Sequence, residues 1–378
     1  MNLTTQDMNN IFSGIYCGKR VLVTGHTGFK GSWLVAWLLK LGANVVGFSD
    51  RIPTNPSMFE VLGLEDRIEH HIGDVRDAVA VAALISSSKL DFVFHLAAQA
   101  IVSTSYQEPL DTISTNVMGT ANVLEALRHL DHPCTAVLIT SDKCYENVEW
   151  PWGYKETDHL GGRDIYSGSK GAAEVIIHSY YWAFFRDAEK TLVRIATGRA
   201  GNVIGGGDWA KDRIIVDCVR SWSRGETVEI RSPEATRPWQ HVLEPLSGYL
   251  TLGAELARDH KLSGESFNFG PRTEQNKTVV SLLGDLRKHW EQDPTGEAYR
   301  ITGHVPFHEA GLLRLNCDKA AFLLKWEAAL TYADCIEMVG RWYSNFYAGQ
   351  PENTYDLTLS QINQYEAAAM KRGLVWAR

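Results

Sequence analysis

The chain has 378 residues, with 37 basic and 45 acidic side chains and a formal net charge of −8. Acids and bases are interspersed, which argues against a nucleic-acid-binding surface, and no apolar run approaches the roughly 20 residues that cross a membrane. Met1 to Gly18 has no basic stretch followed by an apolar one, so we expect no signal peptide. The six cysteines form no Cys-x-x-Cys pair, which favours buried, reduced thiols, no metal site and a cytoplasmic protein.

Short apolar runs alternate with helical patterns through the first half of the chain. The predicted strands are 20–24, 44–49, 68–72, 91–96, 134–140 and 190–197, and the predicted helices are 31–41 (ended by Gly42), 109–130 and 166–185. This alternation predicts an α/β fold, a Rossmann-type doubly wound parallel sheet.

The pattern loosens after Gly198. Glycines cluster at 205–207, prolines recur, and helical stretches at 212–224, 243–258 and 279–290 alternate with loops. We therefore expect residues 1–198 to form the sheet domain and residues 199–378 mainly a smaller C-terminal lobe over the substrate side of the sheet. The boundary is soft, because chains of this kind often cross between lobes.

A glycine motif, Gly25-His-Thr-Gly28-Phe-Lys-Gly31, follows the first strand and opens a helix. Its glycines permit a tight turn and the close approach of a pyrophosphate to the helix N-terminus, where Lys30 adds a positive charge. Asp50 ends the second strand about 20 residues later, where an acid binds the adenosine ribose 2′-hydroxyl and repels a 2′-phosphate. The pattern favours NAD over NADP, although the neighbouring Arg51 weakens that preference.

Further cofactor contacts are expected at the ends of strands three and four. Asp74 and Val75 are placed to hold the adenine, with a cap on the following helix as the alternative for Asp74, and small residues after strand four leave room for the cofactor. The predicted cofactor-binding residues are Gly25, Thr27, Gly28, Phe29, Lys30, Gly31, Asp50, Asp74, Val75, Leu96, Ala97 and Ala98, together with Tyr166 and Lys170.

Tyr166 and Lys170 lie four residues apart on one helix face. A free tyrosine has a pKa of about 10, and a nearby ammonium lowers that pKa by favouring the phenolate. Tyr166 can then take a hydroxyl proton while hydride leaves the same carbon, with Ser141 hydrogen bonded to the same oxygen. The alternative is a packed aromatic ring beside a solvated lysine.

Thr140-Ser141-Asp142-Lys143 follows an apolar run and stands at the carboxyl end of the predicted fifth strand. A sugar hydroxyl oxidised to a ketone acidifies the neighbouring proton, so an acid and a base beside Tyr166 suggest that water is also eliminated. Asp142, kept protonated by burial, is the predicted acid. Lys143 is the base only if its pKa falls well below the usual value of about 10.4; the alternative is an ammonium that orients Asp142 or the substrate.

Five segments together resemble the extended short-chain dehydrogenase/reductase superfamily and, more narrowly, the CDP-glucose 4,6-dehydratase family. They are VTGHTGFKGSW (23–33), TSDKCYEN (140–147), YSGSK (166–170), RAGNVIGGGDW (199–209) and RPWQH (237–241). The resemblance covers nearly the whole chain after residue 16. It implies that residues 1–198 bind NAD and carry the catalytic side chains, and that residues 199–378 mainly bind the sugar nucleotide.

The resemblance also implies a reaction, with CDP-glucose as substrate and NAD as cofactor. Tyr166, with Lys170 and Ser141, oxidises the glucose C4 hydroxyl; water then leaves across C5 and C6 with the help of Asp142 and Lys143, and hydride returns to C6. The product, CDP-4-dehydro-6-deoxyglucose, belongs to deoxysugar and O-antigen biosynthesis. The related dTDP-glucose dehydratases carry Thr-Asp-Glu where this chain has Ser141-Asp142-Lys143, which leaves the C5 base open.

By the same resemblance, Asn202 and Arg237 contact the nucleotide diphosphate or the sugar, and Asn116 lies near the active site. The predicted substrate-binding residues are Gln99, Asn116, Asn202, Trp209, Arg213, Arg237 and His308. A structural hydrogen-bonding role is the alternative for Asn116, and packing in the second lobe is the alternative for Trp209 and His308. The aromatic run 180–185 serves either the core or, as the family pairs its helices, the interface of a homodimer or homotetramer.

Two rival functions share these features. A sugar-nucleotide 4-epimerase has the same fold, glycine loop and tyrosine–lysine pair, but generally lacks an acid–base pair at the positions of Asp142 and Lys143. A non-enzymatic NAD-sensing protein on the same fold is the second rival, and such proteins usually have a degraded tyrosine–lysine pair, which is intact here.

Overall fold

The computed structural model describes residues 11–230, 233–272, 276–290, 299–302, 312–349 and 353–378. His308 lies outside these ranges, as does most of the segment tested for a signal peptide. The strands of the described ranges are β1 Arg20–Thr24, β2 Asn44–Ser49, β3 Glu69–Ile72, β4 Phe92–His95, β5 Cys134–Ile139, β6 Val193–Ala200, β7 Val228–Ile230, β8 Thr236–Pro238, β9 Ser266–Phe269, β10 Asn276–Thr278 and β11 Tyr299–Ile301.

The α-helices surround these strands. They are α1 Phe29–Lys40, α2 Met58–Val61, α3 Ala78–Ser87, α4 Val102–Gln107, α5 Pro109–Ile113, α6 Gly119–Leu127, α7 Ile165–Tyr180, α8 Ile214–Trp222, α9 Leu243–Arg258, α10 Val279–Arg287, α11 Tyr332–Tyr347 and α12 Thr354–Lys371. Among the residues with a described placement, no helix is both long and apolar enough to cross a membrane.

A seven-stranded parallel sheet in the order β3-β2-β1-β4-β5-β6-β9 forms the centre of the molecule. Strand β5 is buried along its whole length, as expected where helices cover both faces of a parallel sheet. The strand order reverses between β1 and β4, and ligands of such sheets bind in the crevice at the carboxyl ends beside that point. The predicted fold class is confirmed.

Several predicted elements differ from the observed ones. Strand β6 begins and ends three residues later than the predicted 190–197. The single helix predicted at 109–130 is divided into α5 and α6 by a π-helical turn, Ser114–Met118. A second π-helical turn, Tyr181–Phe185, follows α7. Turns of this kind arise from local packing and carry no periodic signature in the sequence.

The second half of the chain returns to the sheet domain. Strand β9 completes the sheet by pairing with β6, where Phe267 lies opposite Gly198. Helix α12 packs on α1 through Glu366, whose carboxylate accepts a hydrogen bond from Trp37 Nε1 at 2.8 Å and forms an ion pair with Lys40 at 2.6 Å. Residues 199–378 therefore contribute to the sheet domain as well as to the second lobe.

The cysteine prediction holds in part. All six thiols are free, and Cys134, Cys144, Cys218 and Cys335 are buried. Cys17 is exposed, contrary to the expected burial, because it lies in the turn before β1 rather than in the strand. Its sulfur faces Gly42, the glycine with φ +79° that follows α1.

Candidate active site

The predicted reactive residues meet at the carboxyl end of β5. Ser141 follows the strand in an extended conformation, and Asp142 opens a short 3₁₀ turn. The Ser141 hydroxyl accepts a hydrogen bond from the Lys143 backbone N–H at 3.2 Å and donates one to Asp142 Oδ1 at 2.9 Å. The turn therefore fixes the serine and the carboxyl group side by side at the sheet edge.

Tyr166 faces this turn from the first turn of α7. Burial raises the pKa of the Tyr166 phenol to about 12. A hydrogen bond with Ser141 and the charge of Arg213 lower this pKa, whereas the charge of Asp142 raises it. The structure thus brings together Ser141, Asp142 and Tyr166, as predicted. Without further positive charge, however, the phenol is mostly protonated at neutral pH.

Lys170 lies one turn deeper on the same helix. Burial lowers the pKa of its ammonium to about 8, and the charges of Glu174 and Cys144 raise it. The prediction assigned the lowering of the Tyr166 pKa to Lys170, whereas here the cation that lowers it is Arg213. The charge that acts most on Lys170 is that of Glu174, on the same helix face.

Two lysine side chains influence the pKa of Asp142. Burial raises the pKa of its carboxyl group, and Lys143, Ser141 and Lys30 lower it. Its Oδ2 would lie 2.9 Å from a Cβ at position 201, so Gly201 makes room for the carboxyl group. The predicted direction of the pKa shift is confirmed, while the role of Asp142 as the acid stays a prediction.

Lys30 lies closer to the reacting residues than the sequence indicated. Burial lowers the pKa of its ammonium to about 8; the Asp142 charge raises it, and the charges of Arg213 and Lys170 lower it. Spacing in the glycine motif had assigned Lys30 to the pyrophosphate. The structure adds that its charge acts on the proposed acid.

The glycine loop has the shape that a dinucleotide requires. Gly25 has φ +74°, and a Cβ there would lie 2.8 Å from Ala97 N. A Cβ at Gly31 would lie 2.1 Å from the Gly25 carbonyl oxygen, so an alanine at that position would displace the loop from the start of α1. Thr27 fixes the loop by donating to the Arg51 carbonyl at 2.6 Å. The loop therefore fits NAD at the switch point of the sheet.

Asp50 stands exposed at the end of β2, where the ribose is expected. Arg51 forms an ion pair with it, with 3.4 Å between Nε and Oδ2. Phe29 begins α1 and approaches Gly205, at which a Cβ would lie 3.0 Å from its Cζ. The first turn of α1 thereby touches the glycine cluster that begins the second lobe.

His26, inside the glycine loop, was not singled out by the sequence analysis. Its Nδ1 lies 2.9 Å from Ser49 Oγ and its Nε2 lies 2.6 Å from His70 Nδ1. Burial and the charge of His70 lower the pKa of His26 to about 3, so the buried ring is neutral. The ring ties the loop to β2 and β3. No cluster of three or more His, Cys, Asp or Glu within the described ranges could hold a metal.

The residues predicted around the adenine divide into two groups. Asp74 accepts hydrogen bonds at 2.8 Å from the backbone N–H and the guanidinium of Arg76, and Asp77 caps α3 instead, so the capping alternative for Asp74 is wrong. Val75 is buried against Gly119. Leu96 and Ala97 donate their backbone N–H groups to Thr24, and Leu96, Ala97 and Ala98 line the crevice half-buried.

Gln99 and Asn116 form one network between the loop after β4 and the catalytic helix. Asn116 Oδ1 accepts from Gln99 N at 2.8 Å, and its Nδ2 donates to Ser169 Oγ at 2.9 Å. The Gln99 side chain bonds to Ile101 and Thr112. These contacts support the structural alternative for Asn116, and a substrate contact by either residue stays a prediction.

The predicted substrate residues of the second half lie at different depths. Arg213 Nη1 donates to Oδ1 of the exposed Asn202 at 3.5 Å, and Arg237 is half-buried on β8. Trp209 is buried, with its ring packed on Trp342 and its Nε1 donating to the Tyr347 hydroxyl. Packing therefore accounts for the contacts of Trp209, the alternative that the sequence left open.

Comparison with known sequences gives a consistent result. A family model described as GDP-mannose 4,6 dehydratase matches residues 22–339. The CDP-glucose 4,6-dehydratase of Salmonella typhimurium is 44% identical over 356 residues, which cover 94% of this chain and 98% of that protein. The CDP-paratose 2-epimerase of Salmonella typhi is 26% identical over 357 residues, covering 86% of this chain and 99% of that protein.

Solved structures share the fold. The UDP-glucuronic acid 4-epimerase of Bacillus cereus, in complex with UDP-glucuronic acid and NAD, has a TM-score of 0.72 at 22% identity and covers 87% of this chain and 100% of its own. The dTDP-glucose 4,6-dehydratase of Streptomyces venezuelae, with NAD bound, has a TM-score of 0.71 at 22% identity, covering 88% of this chain and 99% of its own. Because dehydratases and epimerases both match, the fold alone does not separate the two activities.

Proposed function

This chain belongs to the NAD-dependent sugar-nucleotide 4,6-dehydratase family, and we propose that it converts CDP-D-glucose to CDP-4-dehydro-6-deoxy-D-glucose and water. The observation that carries the proposal is the buried carboxyl group of Asp142: the charges of Lys143 and Lys30 lower its pKa, and its own charge raises the pKa of Tyr166. An epimerase needs only the oxidation and re-reduction of C4, whereas the elimination of water needs such an acid beside the oxidation site.

When bound, NAD would supply the hydride acceptor for C4 and the hydride donor for C6, while C5 takes up a proton from Lys143 or the solvent. The glycine loop would hold its pyrophosphate and Asp50 its adenosine ribose. Tyr166 takes the proton of the C4 hydroxyl, and Ser141 hydrogen bonds to the same oxygen. Arg213, whose charge already lowers the Tyr166 pKa, stabilises the phenolate that this step needs.

The C4 ketone acidifies the proton at C5. Lys143 takes that proton, and Asp142 protonates the C6 hydroxyl, which leaves as water. Burial favours this role because it raises the pKa of the Asp142 carboxyl group and so keeps a proton available. The charge of Lys30, and that of Lys143 once it holds the C5 proton, restrain that rise and allow Asp142 to be deprotonated after donation.

Turnover of CDP-glucose in deuterated water tests the proposal. Elimination at C5 and C6 requires a 4-keto-6-deoxy sugar that carries solvent deuterium at C5, which mass spectrometry and proton NMR detect. An epimerised CDP-hexose without loss of water would instead establish the epimerase alternative. Binding of NAD with no change of any CDP-hexose would support the sensing alternative.

We further propose a homodimer formed through α7 and the segment of α5 and α6. Leu110, Met118 and Val175 on these helices are exposed although apolar, as are Trp182 and Phe184 after α7, a pattern typical of an interface. Val175→Asp is expected to shift the protein to monomers in sedimentation velocity. Val375→Asp is the control. Val375 is as exposed as Val175 (53% against 52%), but its neighbour Trp376 belongs to the core cluster on the α1 side of the sheet, so Val375 lies away from the proposed interface.

The proposed product is an activated deoxysugar precursor, which fits biosynthesis of a bacterial cell-surface polysaccharide such as O-antigen. A cytoplasmic location fits a nucleotide-sugar substrate and six free thiols. Cell fractionation followed by immunodetection tests the location, and recovery with the membrane or secreted fraction would contradict it.

A further inference from the structure

A buried carboxylate lies on the catalytic helix one turn beyond Lys170. Tyr166, Lys170 and Glu174 follow one another at intervals of four residues, so they share one face of α7. Glu174 is 3% exposed. None of the steps described above uses it, although a buried carboxylate is retained only where partners compensate for its lost hydration.

Arg199, on β6, is the main partner of this carboxylate. Its Nε donates to Glu174 Oε1 at 2.8 Å and its Nη2 donates to Oε2 at 2.9 Å. This bidentate contact fixes the plane of the carboxylate as well as its position. Arg199 is equally buried, and its Nη1 donates to the Tyr145 hydroxyl at 2.7 Å. The pair therefore joins α7 rigidly to β6.

The same carboxylate holds the strand that carries the proposed acid. Thr140, the residue before Ser141, donates its hydroxyl proton to Glu174 Oε1. Ser266, on β9, makes a longer contact of 3.4 Å with Oε2. A shift of Glu174 would thus be transmitted through Thr140 to the turn that positions Ser141 and Asp142.

Glu174 also supplies negative charge to Lys170. Burial lowers the pKa of Lys170 to about 8, and Glu174 is the largest influence that raises it. Several other ionisable groups act on Lys170 or are acted on by it: Cys144 after β5, His95 on β4 and Lys30 on α1. Neither Lys30 nor His95 supplies negative charge, so Glu174, followed by Cys144, is the main influence that opposes the effect of burial on Lys170.

We propose that Glu174 and Arg199 are a positioning pair for the dehydratase reaction: Glu174 anchors the Ser141–Asp142 turn through Thr140 and places its carboxylate one helical turn from Lys170, and Arg199 holds that carboxylate in its orientation. The inference rests on the proposed function. Both residues act through Thr140 and Lys170 rather than on the substrate, so they are positioning residues and not catalytic ones.

The first test is Glu174→Gln, which keeps the shape of the side chain and removes its charge. Lys170 then loses its proton more easily, so the alkaline limb of the pH profile for reduction of bound NAD moves to lower pH. A shift of about one unit corresponds to about a tenfold loss of rate on that limb. In the unliganded protein, the ¹³Cε resonance of Lys170, assigned with Lys170→Arg, is expected to titrate at correspondingly lower pH.

A second variant separates positioning from folding. Glu174→Met combined with Arg199→Met removes both charges, and apolar replacement of a buried ion pair is often neutral or stabilising. The double variant is expected to unfold near the wild-type temperature. Its reduction of bound NAD should nevertheless be slower, and the alkaline limb of that pH profile should lie at lower pH. Ser266→Ala is the matched control, because it removes one long hydrogen bond from the same carboxylate and leaves the charge in place.

The outcomes distinguish the inference from the proposed function. If the wild type reduces bound NAD with CDP-glucose and the double variant keeps its rate and its alkaline limb, the positioning role is wrong. If the wild type reduces no NAD, the proposed function fails. The titration of Lys170 needs no substrate, so an unchanged titration in Glu174→Gln overturns the inference in either case.

Discussion

Replacement of Tyr166 by phenylalanine is expected to slow the reduction of bound NAD by CDP-glucose by roughly 10²- to 10⁴-fold, the usual contribution of a general base. Phenylalanine keeps the ring that fills this buried position, so the fold and the affinity for NAD should change little. The measurement is the near-ultraviolet absorbance of reduced nicotinamide in a single turnover.

The protonation state of Tyr166 determines how the rate of NAD reduction changes with pH. Tyr166 acts as a base only when deprotonated, and burial raises its pKa to about 12 in the free protein, so the wild-type rate should rise with pH until Lys170, whose pKa burial lowers to about 8, loses its proton. The Arg213 charge lowers the Tyr166 pKa and so moves this rise to lower pH, and the positive charge of a bound nicotinamide ring would act in the same direction. Arg213→Met should therefore move the rise to higher pH, and Tyr166→Phe should remove it.

Tyr249→Phe is the matched control for this prediction. The Tyr249 hydroxyl is fully buried and has no hydrogen-bond partner among the described residues, and the charges of Asp142 and Tyr166 reach it. Its removal takes away a second phenol from the same neighbourhood and should leave the rate of NAD reduction unchanged. A normal rate in Tyr166→Phe would assign the proton transfer to another group.

The strands that were predicted well are those that can be recognised from their own residues. Strands β1 and β5 are continuous apolar runs followed by polar residues, which is the pattern of a strand buried on both faces. The shift of β6 has a different cause. Its last residues, Gly198 to Ala200, pair with β9, and a four-residue strand far away in the sequence gives no periodic signal of its own.

In the candidate site, too, some residues could be placed from the sequence and others could not. Ser141, Asp142 and Tyr166 could be brought together from the sequence, because a strand end and the next helix must meet at one edge of a parallel sheet. The proximity of Lys30 to Asp142 depends on how α1 lies across that edge, which the glycine spacing does not specify. Glu174 could be recognised from one signal in the sequence, its spacing of four from Lys170, but its partner Arg199 lies on strand β6, 25 residues further along the chain.

Replacement of Lys143 by methionine is expected to leave the reduction of bound NAD intact and to reduce the release of the 6-deoxy product by roughly 10²-fold or more. Without a base at C5 the enzyme stops after oxidation, so reduced nicotinamide should accumulate on the protein. Methionine matches the length of the lysine stem, and the Lys143 backbone N–H that binds Ser141 is retained, so the turn should survive.

Asp142→Asn separates the acid from the base. Lys143 can still remove the C5 proton in this variant, but no group protonates the departing C6 hydroxyl. The oxidised substrate should therefore exchange its C5 proton with deuterated water while little 6-deoxy sugar forms. In Lys143→Met both the exchange and the product should be lost, and mass spectrometry of the quenched sugar nucleotide distinguishes the two patterns.

Lys30 provides the decisive comparison, because its ammonium also acts on Asp142 and burial lowers its pKa to about 8, a range suited to a base. If Lys143 is the base, Lys30→Met should still exchange C5 and form product, with any loss confined to NAD affinity. The reverse pattern, with exchange lost in Lys30→Met and retained in Lys143→Met, would transfer the role of base to the glycine loop. Lys143 would then orient Asp142, since its charge lowers the pKa of that carboxyl group.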